Sequence, residues 1–491
     1  MPALAAKGLR VRDSAARVRD VGLPPGRGAR FGAFDFHFPI PIVPAPRTQF
    51  AVSGRGAAMS GRIRPWARRF VWESRRMKGE AQPGALRVAS FARSLAIWGP
   101  GLLVMLADTD AGNVVTAAQA GAQWGYRLLP LVLLLIPMLY MVQELTVRLG
   151  LYTGRGHGEL IRERFGVGWA YVSTFGLATA VVGSLITEFT GVAGVGELFG
   201  LSRGLTLPLA AATLLIIVAS SSHNRVERAA LFIGLFELAF FVVAWRAHPG
   251  FGALARDAID LPLRNRDFLL LVAAIIGATF NPWMIFYQQS ATVDKRLQPG
   301  DLVHARWDTG VGAILTQCLT GAVLVAAAAA FATGSPTASL TSVGEISGAL
   351  TPVLGESAGR VVFGAGVLGA SLVAAIVSSL ALAWGVGEVA GYRRSLEYRP
   401  FEGGWFYAIY AANVIGASAV VWLVSSLVWL NIAAQVLNAF LMPLVTGFLV
   451  ALAVKTLPEP YRHSGWHLGL IVGVCTLVSA VGVFGGLQAL L

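Results

Sequence analysis

Eleven long apolar segments recur after residue 96 of this 491-residue chain, and polar connections separate them. Each segment is long enough to cross the roughly 30 Å of hydrocarbon in a lipid bilayer. Because hydrocarbon offers no hydrogen bonds, such a segment satisfies its backbone polar groups by forming a helix. The sequence therefore predicts an all-α polytopic membrane protein. The predicted segments are centred near Asp110, Ile136, Thr187, Leu214, Leu238, Pro282, Val323, Val373, Ala417, Ala439 and Val474.

Polar residues interrupt the first of these segments, which lies within Leu102–Ala118. Two carboxylates, a glycine and an amide fall within six residues there, at Asp108, Asp110, Gly112 and Asn113. Charged residues at membrane depth are costly and are found mostly where they face a cavity, a partner or an ion. We interpret this stretch as half of a cation site. The alternative is that the aspartates pair with an arginine of a neighbouring helix.

The sixth segment is interrupted as well, near Asn281 and Pro282. Proline has no backbone N–H and clashes with the preceding turn, so the carbonyl group of Ala278 loses its helical partner. A kink without function is the alternative. Since the two interruptions lie five segments apart, segments 1–5 and 6–10 predict two halves that each begin with a broken helix. This arrangement is typical of an inverted-repeat transporter with its substrate site at the middle of the membrane.

Net charge separates the first 95 residues from the rest. They hold 18 Lys and Arg but only 5 Asp and Glu, so the whole excess of +13 lies there and residues 96–491 are neutral. We predict a basic, mostly disordered N-terminal segment at 1–95 and an eleven-helix transporter domain at 96–491. Alternatives for the N-terminal segment are an organellar transit peptide, an anchor for anionic lipid, or an over-extended reading frame with the true start at Met77.

The connections differ in basic residues according to the side on which they should lie. Those that follow even-numbered segments carry about twice as many Lys and Arg as the others, for example at Arg148, Arg155, Arg393 and Arg394. The positive-inside rule therefore predicts a multi-pass protein of the cell membrane with its N-terminus in the cytoplasm and its C-terminus outside.

Five short motifs resemble the NRAMP divalent-metal transporters over about residues 98–455. They are Gly99-Pro-Gly-Leu-Leu, Asp110-Ala-Gly-Asn113, Ala118-Gln-Ala-Gly-Ala122, Gly125-Tyr126 and Arg148-Leu-Gly-Leu-Tyr-Thr-Gly154. The resemblance implies the LeuT-type fold, with 5+5 inverted repeats, an eleventh helix and broken helices 1 and 6. It also implies that a divalent cation binds between the two breaks.

The resemblance implies a set of metal ligands from both breaks and from helix 10. The set consists of Asp110, Asn113 and Asn281, the backbone carbonyl groups of Ala107 and Ala278, and Gln435. The first family motif is Asp-Pro-Gly-Asn, and here Ala111 replaces its proline. We therefore expect Gly112 to contribute more to the unwinding of the helix.

The sixth helix departs from the family, which has Met-Pro-His and a second histidine further along. This chain has Asn281, Pro282 and Trp283, with Gln288 in place of the second histidine. A thioether favours softer transition metals, whereas carboxylate, amide and carbonyl oxygens suit Mg²⁺, Ca²⁺ or Mn²⁺. Mg²⁺ also keeps part of its water shell when proteins bind it. The pattern resembles the NRAMP-related magnesium transporters, the branch without the helix 6 methionine.

Other acidic residues of the predicted spans lie outside this set of ligands. Glu188 resembles the family's helix 3 acid on the proton route, but Leu185 stands where its acidic partner should be. Asp108 is interpreted as an auxiliary acid that lines the aqueous vestibule, and an ion pair is the alternative. Glu144 and Arg148 are spaced for a structural pair on one helix. Glu237 receives no assignment.

The sequence thus predicts a transporter of divalent cations that works by alternating access, most favourably for Mg²⁺ and also for Mn²⁺, without obligatory proton coupling. A proton-coupled Mn²⁺/Fe²⁺ transporter of the NRAMP type is the first alternative, and an amino-acid transporter of the same fold is the second. We expect a monomer in the lipid bilayer, no enzyme activity, no nucleic-acid partner and no resident cofactor. No nucleophile with its base and no phosphate-cradling glycine loop indicates an enzyme.

Overall fold

Apolar runs form helices throughout the part of the chain that the computed structural model describes. This part comprises residues 98–331, 344–347 and 355–490, except positions 249, 258, 425, 426 and 464. The predictions for residues 1–95, including a start at Met77, concern residues outside it. The helices of the first five spans and their connections are α1 Pro100–Leu106, α2 Ala111–Trp124, α3 Leu129–Thr153, α4 His157–Phe165, α5 Val167–Leu198, α6 Arg203–Ala219, α7 His223–Gly234, α8 Ala239–Arg246 and α9 Phe251–Asp257.

The later spans are formed by seven further helices. They are α10 Arg266–Thr279, α11 Pro282–Asp294, α12 Leu302–Phe331, α13 Glu356–Ala390, α14 Gly404–Leu423, α15 Leu427–Thr456 and α16 Gly465–Leu490. Within the described residues, eight helices are long and apolar enough to cross a membrane, and two shorter apolar helices lie in the fourth and tenth spans. The broken pair α1 and α2 forms the first span. The all-helical membrane architecture is confirmed.

The first span is broken between Leu106 and Ala111. Asp110 has an extended backbone, with φ −66° and ψ 170°, and its carboxylate accepts a hydrogen bond of 2.7 Å from the backbone N–H of Asn113. An aspartate in this position caps a new helix by satisfying one of its free N–H groups. The expectation that Gly112 unwinds the helix is therefore wrong, because Gly112 is already the second residue of α2.

The sixth span is broken at Phe280 and Asn281, as Pro282 predicts. Phe280 (φ −112°, ψ 86°) and Asn281 (φ −87°, ψ 132°) leave the helical region, and Pro282 is the first residue of α11. The side-chain amide of Asn281 donates a 3.1 Å hydrogen bond to the carbonyl oxygen of Ala278. The side chain thus replaces the N–H group that proline lacks.

A third interruption, which the sequence did not suggest, lies in the fifth span. A single turn of 3₁₀-helix, Leu235–Leu238, joins α7 to α8. The turn packs against α13 at Gly369, where a Cβ atom would lie 2.8 Å from the carbonyl oxygen of Ile233 and 2.9 Å from the Cβ of Phe236. Glycine at this position permits the close approach of the two backbones.

The two broken spans pack crosswise at the centre of the helix bundle. Helix α1 contacts α7 and α11, helix α2 contacts α5 and α10, and both contact α12 and α13. The half-helix that precedes each break therefore contacts the half-helix that follows the other break. This packing brings polar groups from both breaks to one place in the molecule.

Candidate functional site

The first break presents a carboxylate and an amide that constrain each other. Asp110 is buried and caps α2, while the side-chain N–H of Asn113 donates a 2.9 Å hydrogen bond to the backbone carbonyl oxygen of Asp108. Because the amide nitrogen of Asn113 is engaged by the break, its carbonyl oxygen is the atom that remains for a cation. The two predicted ligands of α2 therefore lie together at the break.

The carbonyl group of Ala107 lies at the C-terminal end of α1, and Ala107 is buried. In a continuous helix its oxygen would accept the N–H of Ala111. That N–H instead donates 3.2 Å to Oε2 of Glu188, which comes from α5. Glu188 thus takes the place of the Ala107 carbonyl group as the acceptor of this N–H, and the substitution of the family's proline by Ala111 supplies the donor.

Asp108 is completely buried between the two broken spans. Its carboxylate lies beside the side chains of Thr316, from α12, and Asn281, from the second break. Neither oxygen has a hydrogen-bond partner among the described residues. In this structure Asp108 is therefore buried next to both breaks, and its role as a vestibule acid stays a prediction.

Asn281 occupies the second break and contacts helix α15 as well as its own span. Its Oδ1 accepts a 3.2 Å hydrogen bond from the side-chain amide of Asn438, and its Nδ2 binds the carbonyl oxygen of Ala278. Asn281 and Ala278 are both buried. The structure thus places these two predicted ligands at the break. Hydrogen bonds to both ends of the side-chain amide fix the orientation of Asn281.

Helix α15 contributes a residue that the sequence reading missed. Asn438 lies one helical turn after Gln435, the residue that we predicted, and Oδ1 of Asn438 has no partner among the described residues. The side chain of Gln435 lies outside the described part of the structure, so its prediction is not tested. The sequence does contain a signal for Asn438. It is an amide one helical turn after a predicted ligand, so it lies on the same face of the helix.

The two residues that replace the family's histidines have different surroundings. Trp283 is fully buried in the first turn of α11, and its indole N–H has no partner among the described residues. Gln288 lies further along the same helix and donates 2.8 Å to the hydroxyl oxygen of Thr309 in α12. Neither side chain changes its charge near physiological pH.

Four buried carboxylates surround the first break. They belong to Asp108, Asp110, Glu188 and Glu237, and each is at most 2% exposed. None of them takes part in the ion pairs that the described residues form. The alternative interpretation, in which an arginine neutralises the aspartates, therefore finds no support in the described part of the chain. A buried negative charge without a basic partner favours a cation as its counter-charge.

The carboxylates do not form a ready-made chelate. Among the described residues, no three His, Cys, Asp or Glu side chains are grouped so that they could hold a metal ion. A cation at the breaks would therefore bind one or two carboxylates and complete its shell with amide oxygens, backbone carbonyl oxygens and water. Divalent cations with a strong preference for oxygen accept such a mixed set of donors.

The family model described as "Natural resistance-associated macrophage protein-like" (Nramp) matches residues 101–487. The chain belongs to the Nramp family. It is 30% identical over 301 residues to the divalent metal cation transporter MntH of Yersinia enterocolitica, a match that covers 58% of this chain and 71% of the relative. It is also 29% identical to the protein of the same name from Pectobacterium carotovorum, with 61% and 75% covered. These relatives of the Nramp chain are transporters and not enzymes.

Solved structures show the same fold for this Nramp protein. A manganese transporter from Eremococcus coleocola superposes with a TM-score of 0.67 at 16% identity, covering 80% of this chain and 86% of that one. A Na⁺-coupled sialic acid symporter superposes with a TM-score of 0.54 at 13% identity, covering 80% and 89%. The LeuT-type fold with broken helices 1 and 6 is thereby confirmed.

Proposed function

We propose that this Nramp protein carries divalent metal cations across a membrane by alternating access, with Mg²⁺ as its preferred cargo and Mn²⁺ as a second one. The family and the divalent metal cation transporters among its relatives support the class of cargo. The preference for Mg²⁺ rests on one observation, the presence of Asn281 at the second break, in place of the family's methionine.

Oxygen atoms make up the donor set at the two breaks. Asp110 supplies a carboxylate, Asn113 and Asn281 supply amide oxygens, and Ala107 and Ala278 supply backbone carbonyl groups. Hard cations prefer such ligands, whereas a thioether recruits softer ones. Since Mg²⁺ loses water reluctantly, a site with few charged ligands suits an ion that enters with part of its hydration shell.

Cation flux through this protein is not obligatorily tied to protons in this proposal. Trp283 and Gln288 stand where the family has titratable histidines, and Gln288 is bound to Thr309. The second candidate function is a proton-coupled Mn²⁺ or Fe²⁺ transporter, which the buried carboxylate of Glu188 favours. An amino-acid substrate is disfavoured because the carboxylates around the first break would repel its carboxyl group.

The remaining features of the proposal follow from the sequence. The N-terminus lies in the cytoplasm and the C-terminus outside, since basic residues are concentrated in the connections on one side. The protein acts as a monomer in the lipid bilayer, has no resident cofactor and binds no nucleic acid. Residues 96–491 form the eleven-helix transporter domain of this proposal.

Uptake by purified protein in liposomes tests the proposal. Vesicles that contain a Mg²⁺-sensitive dye should respond to external Mg²⁺, and a second set with an internal pH dye should show no stoichiometric acidification. The same vesicles with Asp110→Asn protein provide the control. Transport of Mn²⁺ without any transport of Mg²⁺ would refute the preference, and acidification that follows metal entry would favour the proton-coupled candidate.

A further inference from the structure

Glu237 is a buried acid for which neither the sequence nor the family motif provides a role. It lies in the 3₁₀ turn of the fifth span, is fully buried, and neither of its carboxylate oxygens has a hydrogen-bond partner among the described residues. A buried carboxylate without a hydrogen-bond partner is expensive, so its presence calls for an explanation.

The 3₁₀ turn places Glu237 next to the first break. The carboxylate lies near enough to those of Asp108 and Asp110 for their charges to interact, and Thr109 lies beside it. A Cβ atom on Gly234 would lie 2.9 Å from Leu106, the last residue of α1, and 3.7 Å from Oε1 of Glu237. The turn therefore packs directly against the end of α1.

Asp108 has the same unusual property as Glu237, since both of its oxygens are buried and neither has a hydrogen-bond partner in the described part of the chain. Hydroxyl and amide groups lie around the carboxylate of Asp108. Thr316 and Asn281 lie beside it, and the hydroxyl groups of Thr109 and Thr316 are 2.8 Å apart. Asp108 and Glu237 together therefore offer four unused carboxylate oxygens near the predicted ligand Asp110, and Oε1 of Glu188 is a fifth among the described residues.

We propose that Asp108 and Glu237 bind the water shell of the transported cation, accepting hydrogen bonds from metal-bound water, and that they thereby select Mg²⁺ over ions that lose water more readily. This inference rests on the proposed function, since it assumes a divalent cation at the breaks. Asp110 contacts the ion directly in this scheme, whereas Asp108 and Glu237 act through water. Glu188 differs from both because the N–H of Ala111 occupies one of its oxygens.

Selectivity arises from the difference in dehydration. Water bound to a dication is a strong hydrogen-bond donor, and a carboxylate is a strong acceptor, so a charge-assisted bond forms between them. Mg²⁺ keeps several waters in protein sites, while Mn²⁺ exchanges them more easily for protein ligands. Removal of a carboxylate that binds only water should therefore weaken Mg²⁺ binding more than Mn²⁺ binding.

Calorimetric titration of the full-length protein in detergent with Mg²⁺ and Mn²⁺ tests the inference. Glu237→Gln should raise the Kd for Mg²⁺ by about tenfold and the Kd for Mn²⁺ by less than about threefold, as loss of one charge-assisted hydrogen bond predicts. Glu188→Gln is the matched control, since it removes an equally buried charge from the same region. It should raise both Kd values by a common factor, because its charge and its contact with the N–H of Ala111 affect the site in the same way for either ion.

Thermal unfolding without metal provides a second measurement on the same variants. If Glu237 serves the ion, Glu237→Gln should leave the unfolding temperature unchanged or raise it, because an unpartnered buried charge is removed. A lower unfolding temperature, or equal loss of affinity for both ions, would overturn the inference. If the wild-type protein binds Mn²⁺ but ignores Mg²⁺, the proposed function itself fails.

Discussion

Two regions of this protein treat buried carboxylates differently, because basic side chains pair with them in one region and, among the described residues, not in the other. The break region consists of Asp108, Asp110, Glu188 and Glu237 and contains no ion pair among the described residues. The second region surrounds the start of α1 and the end of α11. We call it the α1 anchor, and it consists of His223, Glu227, Asp294, Lys295 and Asp308.

Asp308 shows how completely the anchor satisfies its charges. Its two oxygens accept the backbone N–H groups of Gly99, Gly101 and Leu102 at 3.1, 2.7 and 3.1 Å. These are free N–H groups at the start of α1, and a negative charge is favourable at this end of a helix. Asp308 comes from α12, about 200 residues away in the chain.

Lys295 completes the anchor from the end of α11. Its ammonium group donates 2.7 and 2.8 Å to both oxygens of Glu227 and 2.8 Å to the carbonyl oxygen of Trp98. His223 lies between Glu227 and Asp294, at 3.4 and 3.2 Å. Three separate helices are thus joined to the start of α1.

A nearby cluster follows the same rule. The predicted pair of Glu144 and Arg148 is confirmed at 2.6 Å, and Glu144 also binds Arg306 and His463. Glu144, Glu227 and Asp294 are therefore paired with basic side chains where they hold helices together, whereas the acids at the breaks have no basic partner among the described residues. The comparison teaches that burial alone does not distinguish the roles of these acids, whereas the absence of a basic partner does.

Replacement of Asp110, in the break region, should have the largest effect on cation affinity. Asp110→Ala should weaken Mg²⁺ binding by more than about 100-fold, because it removes the carboxylate that contacts the ion directly. It should also cost about 1 kcal/mol of stability through the lost helix cap. Asp110→Asn keeps the cap and loses only the charge, so it should lose affinity alone. Calorimetry and thermal unfolding separate the two effects, and retained affinity in both variants would exclude Asp110 as a ligand.

Replacement of Asp308, in the α1 anchor, should reduce stability and leave cation affinity nearly unchanged. Asp308→Ala leaves three buried N–H groups without their charged acceptor, so the free energy of unfolding should fall by about 3 kcal/mol. The affinity of the folded protein for Mg²⁺ should change by less than about threefold, which calorimetry measures. Asp308→Asn keeps one acceptor oxygen and should be intermediate in stability. A large loss of Mg²⁺ affinity at unchanged stability would contradict the purely structural role of Asp308 and, with it, the difference between the two regions.

The Asn281→Met substitution should change the selectivity of the break region. A thioether in place of an oxygen donor should move the ratio of Cd²⁺ to Mg²⁺ affinity by about tenfold toward Cd²⁺, because sulfur suits the softer ion. Asn281→Leu has a similar volume without sulfur and should weaken Mg²⁺ binding without the gain for Cd²⁺. If the calorimetric ratio is the same in both variants, Asn281 does not face the ion.

Ala111→Pro should have a small effect, since it restores the family motif and removes one hydrogen bond to Glu188. Proline is well tolerated at the first position of a helix, so we expect a change in stability within about 1 kcal/mol. Ala111→Ser keeps the N–H and serves as the control for thermal unfolding. A collapse of transport in the proline variant alone would show that the contact between Glu188 and α2 is essential to the break region.

The smallest effect is expected from removal of residues 1–76. The composition of this segment does not favour a packed core, and both regions of the comparison lie after residue 97. Ion uptake by the shortened protein in liposomes should equal that of the full chain. Correct insertion without ion flux would assign the segment a role in transport.

Much of the fold and half of the site could be predicted from local sequence. Hydropathy locates the spans, Pro282 locates the second break, and polar residues at 108–113 locate the first, because each of these signals acts within one or two helical turns. The absence of sulfur at position 281 also follows from the sequence alone. The chemical type of the donor atoms could therefore be predicted from the sequence.

Only the tertiary structure decided which distant groups meet at the breaks. Glu237 reaches the first break through an unexpected 3₁₀ turn, Asn438 reaches Asn281 across 157 residues, and Glu188 accepts the N–H of Ala111 across 77. No periodicity in the sequence encodes these contacts. They depend on how helices cross and on the small residues that let them approach, and packing between helices determines both.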